Sequence, residues 1–420
     1  MRSISNSPNR FMLGLPICAA IAATLLFALS NPPGKTVLAA DRSASTEPVV
    51  WDRAAAERYL DSREAWWQDW DRTHKDHGTY CISCHTQAPY GLARPILRQD
   101  LHEPAPSGAE RVMLDSIEKR VRMWKDVEPF YLDAQYGKGK EIESRNAEAV
   151  LNAIILASYD AHLGRITETT RLAFDNAWAL QSKDGPAAGA WVWQNFHYPP
   201  WESPESEYHG AALFAVAVGE APAFAKNEKL SLFLNGKADK YRDDPKIAGN
   251  LAALRGYLQN HYDAQPLLNK TVALWASAHL PDLLTHAQRE KLFAELLNRQ
   301  RTDGGWSLKD LGTWERVDNT PLPDSSDGYA TGLVVLVLQE NAVTDPRVKR
   351  GLDWLADNQD KTTGAWAAWS LNKNRDPQSN IGQFMSDAAT SYAVLALDAR
   401  KASAPESSSI PDSRRTPVTR

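Results

Sequence analysis

"RQRTDGGW" occupies Arg299–Trp306, and two relatives of it lie elsewhere in the chain. "LQSKDGPAAGAW" begins at Leu180 and "DNQDKTTGAW" at Asp357. Each carries a glutamine at the end of a helical stretch, then a turn containing glycine, then a tryptophan. The glutamines are Gln181, Gln300 and Gln359, at intervals of 119 and 59 residues. The first interval is close to twice the second, which implies a period near 59 with a degenerate copy between. A glutamine carboxamide can bond backbone groups at a helix end, glycine permits a left-handed stop, and tryptophan packs over the junction. These are structural duties and carry no chemistry of their own.

The other half of each unit is a helical opening rich in small residues. Six such segments stack: "TQAPYGLARPIL" from Thr86, "SRNAEAVLNAII" from Ser144, "EYHGAALFAVAV" from Glu207, "KIAGNLAALRGY" from Lys246, "SDGYATGLVVLV" from Ser326 and "SDAATSYAVLAL" from Ser386. Apolar residues fall on nearly all their faces, as in helices buried all round. A more amphipathic stretch precedes each, for example "DPRVKRGLDWLADNQ" from Asp345. The pattern predicts an all-α fold over residues 51–400, an (α/α)6 toroid of six helical hairpins.

The Gln-x-x-Asp-Gly-Gly-Trp run from Gln300 to Trp306 resembles the QW repeats of squalene–hopene cyclases. More broadly the chain is similar to the α/α-toroid proteins that include terpenoid cyclases and prenyltransferase β subunits. The resemblance implies the toroid and an apolar ligand, isoprenoid or other, at its cavity. A class II terpene cyclase would carry an acidic Asp-x-Asp-Asp run, and the chain has none. "PDSSD" sets Asp324 and Asp327 in another pattern, and Asp243-Asp244 is followed by Pro-Lys-Ile. Fold therefore carries over more readily than activity. Asp327, Asp387 and His209 stand at the starts of inner helices, where an acid caps the helix. They are also pocket candidates, because that end of a toroid faces the cavity mouth.

"HGTYCISCHTQAPYG" (His77–Gly91) holds both cysteines outside the first thirty residues. Cys-x-x-Cys-His is the spacing of covalent haem c: Cys81 and Cys84 would bind the vinyl groups, and His85 would ligate iron. Over these five residues the chain resembles c-type cytochromes. A zinc clasp of His74, His77, Cys81 and Cys84 is the competing reading. A thioredoxin-like dithiol would need a βαβ context that a helical chain lacks. In the repeat alignment "HKDHGTY" at His74 takes the place of "QRTDGGW", so the haem loop belongs to the first hairpin. Aligning Ala88 with Ala388 sets Met385 at the position of His85 in the sixth unit, which a closed ring makes the neighbour of the first. Met385 is thus the candidate distal ligand, with His209 and His197 as alternatives.

Before the hairpins, residues 1–40 read as a secretory leader: Arg2 and Arg10, an apolar run at 11–30, then small residues before Asp41. An uncleaved anchor is the alternative, and either places the globular part outside the cytoplasm, in a periplasm or beyond. Cys18 falls in that run. Residues 401–420 read as a disordered tail. A net charge of −5 offers no basic footprint, so nucleic acid is not an expected partner. "HYPPWESPESEYHG" from His197 reads as a loop that could cover the cavity mouth. The expectation is an exported mono-haem protein that transfers electrons to a partner protein, or does redox chemistry on a ligand. A haem-free terpenoid enzyme and a zinc-clasped binding scaffold are the alternatives.

Overall fold

The computed structural model describes residues 50–221 and 244–402. The leader with its apolar run and Cys18, Asp243, and the tail beyond Ala402 lie outside the described residues. In chain order the helices are α1 (Arg53–Asp69), α2 (Gln87–Asp100), α3 (Gly108–Arg122), α4 (Asp133–Tyr136), α5 (Lys140–Leu163), α6 (Glu168–Leu180) and α7 (Ser206–Glu220). There follow α8 (Pro245–His261), α9 (Leu267–His279), α10 (His286–Asn298), α11 (Gly328–Glu340), α12 (Pro346–Asp357) and α13 (Phe384–Ala402). Two-residue strands, β1 (His74–Lys75) and β2 (Thr79–Tyr80), pair antiparallel. The protein is all-α. Helix α13 continues two residues into the stretch read as tail.

Helix starts follow their local chemistry. Asp52, Asp244, Asp327 and Asp345 each accept a first-turn backbone N–H, and proline follows Asp244 and Asp345 at the first helical position. Ser107 with Glu110, and Thr285 with Gln288, form reciprocal capping boxes.

Two classes of helix result. α2, α5, α7, α9, α11 and α13 are buried on nearly every face along most of their length. Their contacts form a closed cycle: α2 on α5, α5 on α7, α7 on α9, α9 on α11, α11 on α13, and α13 back on α2. α1, α3, α6, α8, α10 and α12 pack on α2, α5, α5, α7, α9 and α11 respectively. Each of these buries mainly one stripe, as α12 does with Val348, Leu352 and Leu355.

The segment from Lys246 differs from its reading as an inner helix. In α8 only Ile247, Asn250, Leu254, Tyr257 and Leu258 are buried, while Ala248, Gly249, Ala252 and Ala253 face solvent. The inner position belongs to α9, ten of whose thirteen residues are buried.

All three glutamine turns do the same work. Gln181 Nε2 donates to Gly189 O and Asn250 O, at 2.8 and 2.9 Å. Gln300 Nε2 donates to Gly304 O and Arg347 O, at 2.8 and 2.7 Å. Gln359 Nε2 donates to Gly364 O and Asp52 O, at 3.0 and 2.9 Å, and its Oε1 accepts from Asp52 N at 2.8 Å. Each carboxamide therefore ties its own turn to the start of the next outer helix, and Gln359 ties the last to the first. The tryptophans point back: Trp191, Trp306 and Trp366 donate Nε1–H to Ala177 O, Leu296 O and Leu355 O at 2.7 Å each. Every one caps a carbonyl near the end of the helix before it.

Candidate functional site

The first unit departs from this plan between α1 and α2. Strands β1 and β2 make a small hairpin, with His74 opposite Tyr80, turning through Asp76–Gly78. Arg120, paired with Glu148 in the interior, donates to Thr79 Oγ1 at 2.8 Å and ties that hairpin to α3 and α5. Cys81 N donates to Thr73 O at 2.8 Å, and Trp67 Nε1 donates to Cys81 O at 2.8 Å. Ser83 N donates to Gln87 Oε1 at 3.2 Å. Gln87 and Gln68 in turn both donate to Glu64 Oε1. Glu64 is fully buried with no partner on Oε2 among the described residues, and burial lifts its carboxyl to about 7.

Cys81, Cys84, His85 and Met385 line one cavity of about 410 Å³, within the usual range of small-molecule sites, about 300–1,000 Å³. Much of its remaining wall is aromatic, with Trp67, Trp70, Trp201 and Phe384, but Arg72, Glu202 and Arg375 also line it. Neither cysteine is in a disulfide. Burial pushes the Cys81 thiol up to about 12 and Cys84 higher still, so both stay protonated.

His85 is held from several sides. Its ring stacks on Phe384 with centroids 3.8 Å apart, while the edge contact with Trp67 is at 5.1 Å and Trp201 lies at 5.9 Å. Nδ1 lies 2.8 Å from Thr86 Oγ1, and that hydroxyl donates to Asp387 Oδ2 at 2.7 Å. With its proton committed to Asp387, the Thr86 oxygen can only accept from Nδ1–H, which leaves the lone pair on Nε2. Burial, then the guanidinium groups of Arg63 and Arg375, depress the imidazole to about 3, so it is neutral. A neutral ring with a fixed tautomer is the state that binds a metal. Asp387 is anchored in turn by Arg63 Nε and Nη2, at 2.7 and 3.0 Å, and by Tyr59 at 2.9 Å. Burial outweighs these partners and leaves its carboxyl above the ordinary value.

The loop from His197 supplies Tyr198, Pro199, Trp201 and Glu202 to the cavity wall. A bridge between Tyr198 and Glu202 closes it, and Trp193 Nε1 donates to Trp201 O at 2.9 Å. Burial raises Glu202 to about 7. His197 itself is exposed and borders a different cleft.

The remaining candidates fall elsewhere. Asp327 is an internal cap: Oδ1 accepts from Ala330 N and Oδ2 from Leu308 N, at 2.8 and 2.6 Å, and burial raises it to about 7. His209 is buried on α7, and burial depresses it to about 4 against the opposing pull of Asn269. Asp327, His209 and Asp387 do not line the cavity of His85, although Asp387 reaches it through Thr86. Each is spent on, or enclosed by, the helix starts where it sits. His74 and His77 are exposed, bound to Gln68 O and to the Asp76 carboxylate. They do not join Cys81 and Cys84, and among the described residues no three His, Cys, Asp or Glu converge to hold a metal.

The sequence did not single out Arg72, Arg375, Phe384 or the Thr86 hydroxyl. None belongs to a motif, and long-range packing alone brings Phe384 and Arg375 to the loop.

No protein-family model matches the chain, and no curated protein matches it. Among solved structures it is similar to a glycosidase variant in complex with glucose, with a TM-score of 0.45 and 13% identity over 83% of this chain and 98% of that chain. It is also similar to a wild-type glycosidase, with a TM-score of 0.44 and 13% identity over 83% and 97%.

Proposed function

We propose that the chain is an exported mono-haem c-type electron-transfer protein, built as an (α/α)6 toroid of six hairpins with the haem loop in the first. The closed cycle of α2, α5, α7, α9, α11 and α13, each with an outer helix against the cycle, supports the toroid. One observation carries the cofactor: Cys81, Cys84 and a tautomer-fixed His85 line a single aromatic cavity.

The donor set suits haem. When bound, haem supplies an iron that accepts and returns one electron. Cys81 and Cys84 are the tethers, free of disulfide and on the same cavity as the imidazole. His85 presents Nε2, and Asp387 through Thr86 keeps the proton on Nδ1. Phe384, Trp67 and Trp201 shield that ring from water. Met385, buried on the same cavity, is the distal candidate, and a thioether there would raise the potential.

Tyr329, Tyr392 and Trp275 from three inner helices pack together, Trp275 edge to face on Tyr392, with Trp201 against Tyr329 at 5.7 Å. An apolar ligand, isoprenoid or other, would accordingly meet the cofactor at the rim cavity.

The test is an absorption spectrum and a pyridine haemochrome assay on the full chain exported in a host with c-type haem maturation. A covalent haem c signal is expected, abolished by Cys81→Ala with Cys84→Ala. A colourless wild-type protein would overturn the reading.

A further inference from the structure

The haem cavity shares Trp70, Arg375 and Ile381 with an adjoining groove of about 520 Å³. Two guanidinium groups, Arg72 and Arg375, stand on the cavity wall, and neither makes an ion pair among the described residues. Arg375 is half-buried, and its one hydrogen bond goes to the neutral Asn372 Oδ1 at 3.3 Å. Arg72 lies over the Trp70 ring at 5.9 Å. Asp376 borders the groove but accepts from Gln378 N instead. Glu202 is the cavity's one carboxyl, and burial favours its neutral form.

A half-buried cation without a counter-charge is costly, and proteins ordinarily pair one. Burial pulls Arg375 below its ordinary value, with no carboxylate to offset it. A carboxylate on a ligand would supply that charge. Planar guanidinium groups suit carboxylates, which they grip with two parallel hydrogen bonds.

The geometry points to Arg375, assisted by Arg72, as a carboxylate subsite that takes the propionates of the haem. This rests on the haem reading above. Haem carries its propionates on the edge away from the vinyl groups, so Cys81 and Cys84 would fix one edge and Arg375 the other. A positive charge there disfavours the oxidised cofactor and keeps the propionates ionised.

The experiment uses the full chain matured with haem, comparing wild type with R375Q, R375K, R72Q and K373Q. Haem content is read by pyridine haemochrome and the midpoint potential is followed against pH. R375Q is expected to keep its covalent haem, to show a lower midpoint potential at neutral pH, and to move the pH-dependent limb upward as the propionates become weaker acids. R72Q should shift the same way by less, R375K should restore most of the wild-type profile, and K373Q, on the groove alone, should change nothing. If R375Q does not accumulate, R72Q carries the same expectation.

A haem-loaded R375Q with the wild-type potential and pH profile would overturn the subsite and leave the haem reading intact. Equal shifts in K373Q would overturn it too, because surface charge would then account for the effect. A wild type without covalent haem would fail at the earlier step and take the subsite with it.

Discussion

The sixth unit's turn and the first unit's loop begin alike and then diverge. Gln359 reaches from the end of α12 to Asp52 at the start of α1. Gln68, inside the last turn of α1 and six residues before the His74 aligned with Gln300, donates to Ala109 O in α3 at 2.7 Å. The staple between successive outer helices survives in both. What differs is the second bond: Gln359 takes the carbonyl of its own turn glycine, whereas Gln68 takes the Glu64 carboxylate one helical turn back. Freed from that bond, the first loop need not fold onto the next helix. It carries a two-stranded hairpin and the Cys-x-x-Cys-His run instead. A repeat can thus keep its clamp at a helix end while the turn beyond takes a different form.

The largest expected contrast lies in the glycines. Gly364 has φ of +82°, and a Cβ there would stand 2.3 Å from the Ala55 backbone. Gly78 has φ of +64° but open space where its Cβ would go. Gly364→Ala should cost at least about 3 kcal/mol by denaturant unfolding, and Gly78→Ala about 1 kcal/mol for the left-handed backbone alone. Equal costs would mean the two turns bear on their neighbours alike.

Next come the staples. Gln359→Ala removes three hydrogen bonds from a buried carboxamide and should cost about 3 kcal/mol, whereas Gln68→Ala, half-buried with two bonds, should cost about 1 kcal/mol. Reversal of that order would show that the first junction carries the ring.

Glu64 gives the first loop a pH signature. Its folded value near 7 lies above the ordinary 4.5, so the folded state binds the proton more tightly. That contribution is complete below pH 4.5 and is lost as pH rises through 7. Relative to wild type, Glu64→Gln should gain stability across that window, by up to about 3 kcal/mol. Parallel stability curves for the two proteins would refute it.

The smallest effect tests the His85 mount. Thr86→Val keeps the shape and removes the hydroxyl between Nδ1 and Asp387. The matured protein should retain covalent haem and lose about 1 kcal/mol of stability. Its midpoint potential should rise, because His85 donates less electron density without a partner on Nδ1. An unchanged potential would make Thr86 a packing residue.

Much of this was legible because it repeats. The Gln–Gly–Trp turns at Gln181, Gln300 and Gln359 stand out by spacing, and His85 and Cys81 by a local motif. Met385 came from aligning inner helices, and it does line the cavity of His85. Gln68 escaped notice because it lies inside α1, where its partner Glu64 is one helical turn back, and Trp70 and Gly78 follow it at other spacings than in the glutamine turns. The α8 segment misled because small residues mark close packing in α7 and α11 but sit on the solvent face of α8. Phe384 and Arg375 were invisible for a plainer reason. They reach the loop only when the cycle closes, and nothing local records that closure.

Thr86 and Asp387 are separated by 301 positions in sequence, yet one hydrogen bond joins them. A chain made from its N-terminus exposes "CISCH" long before α13 exists. Until then His85 has no Phe384 on its face and no carboxylate behind Thr86, so the loop stays open. Arrival of the sixth unit shuts that window. Order of synthesis alone therefore separates a period in which this loop is accessible from the moment it is sealed.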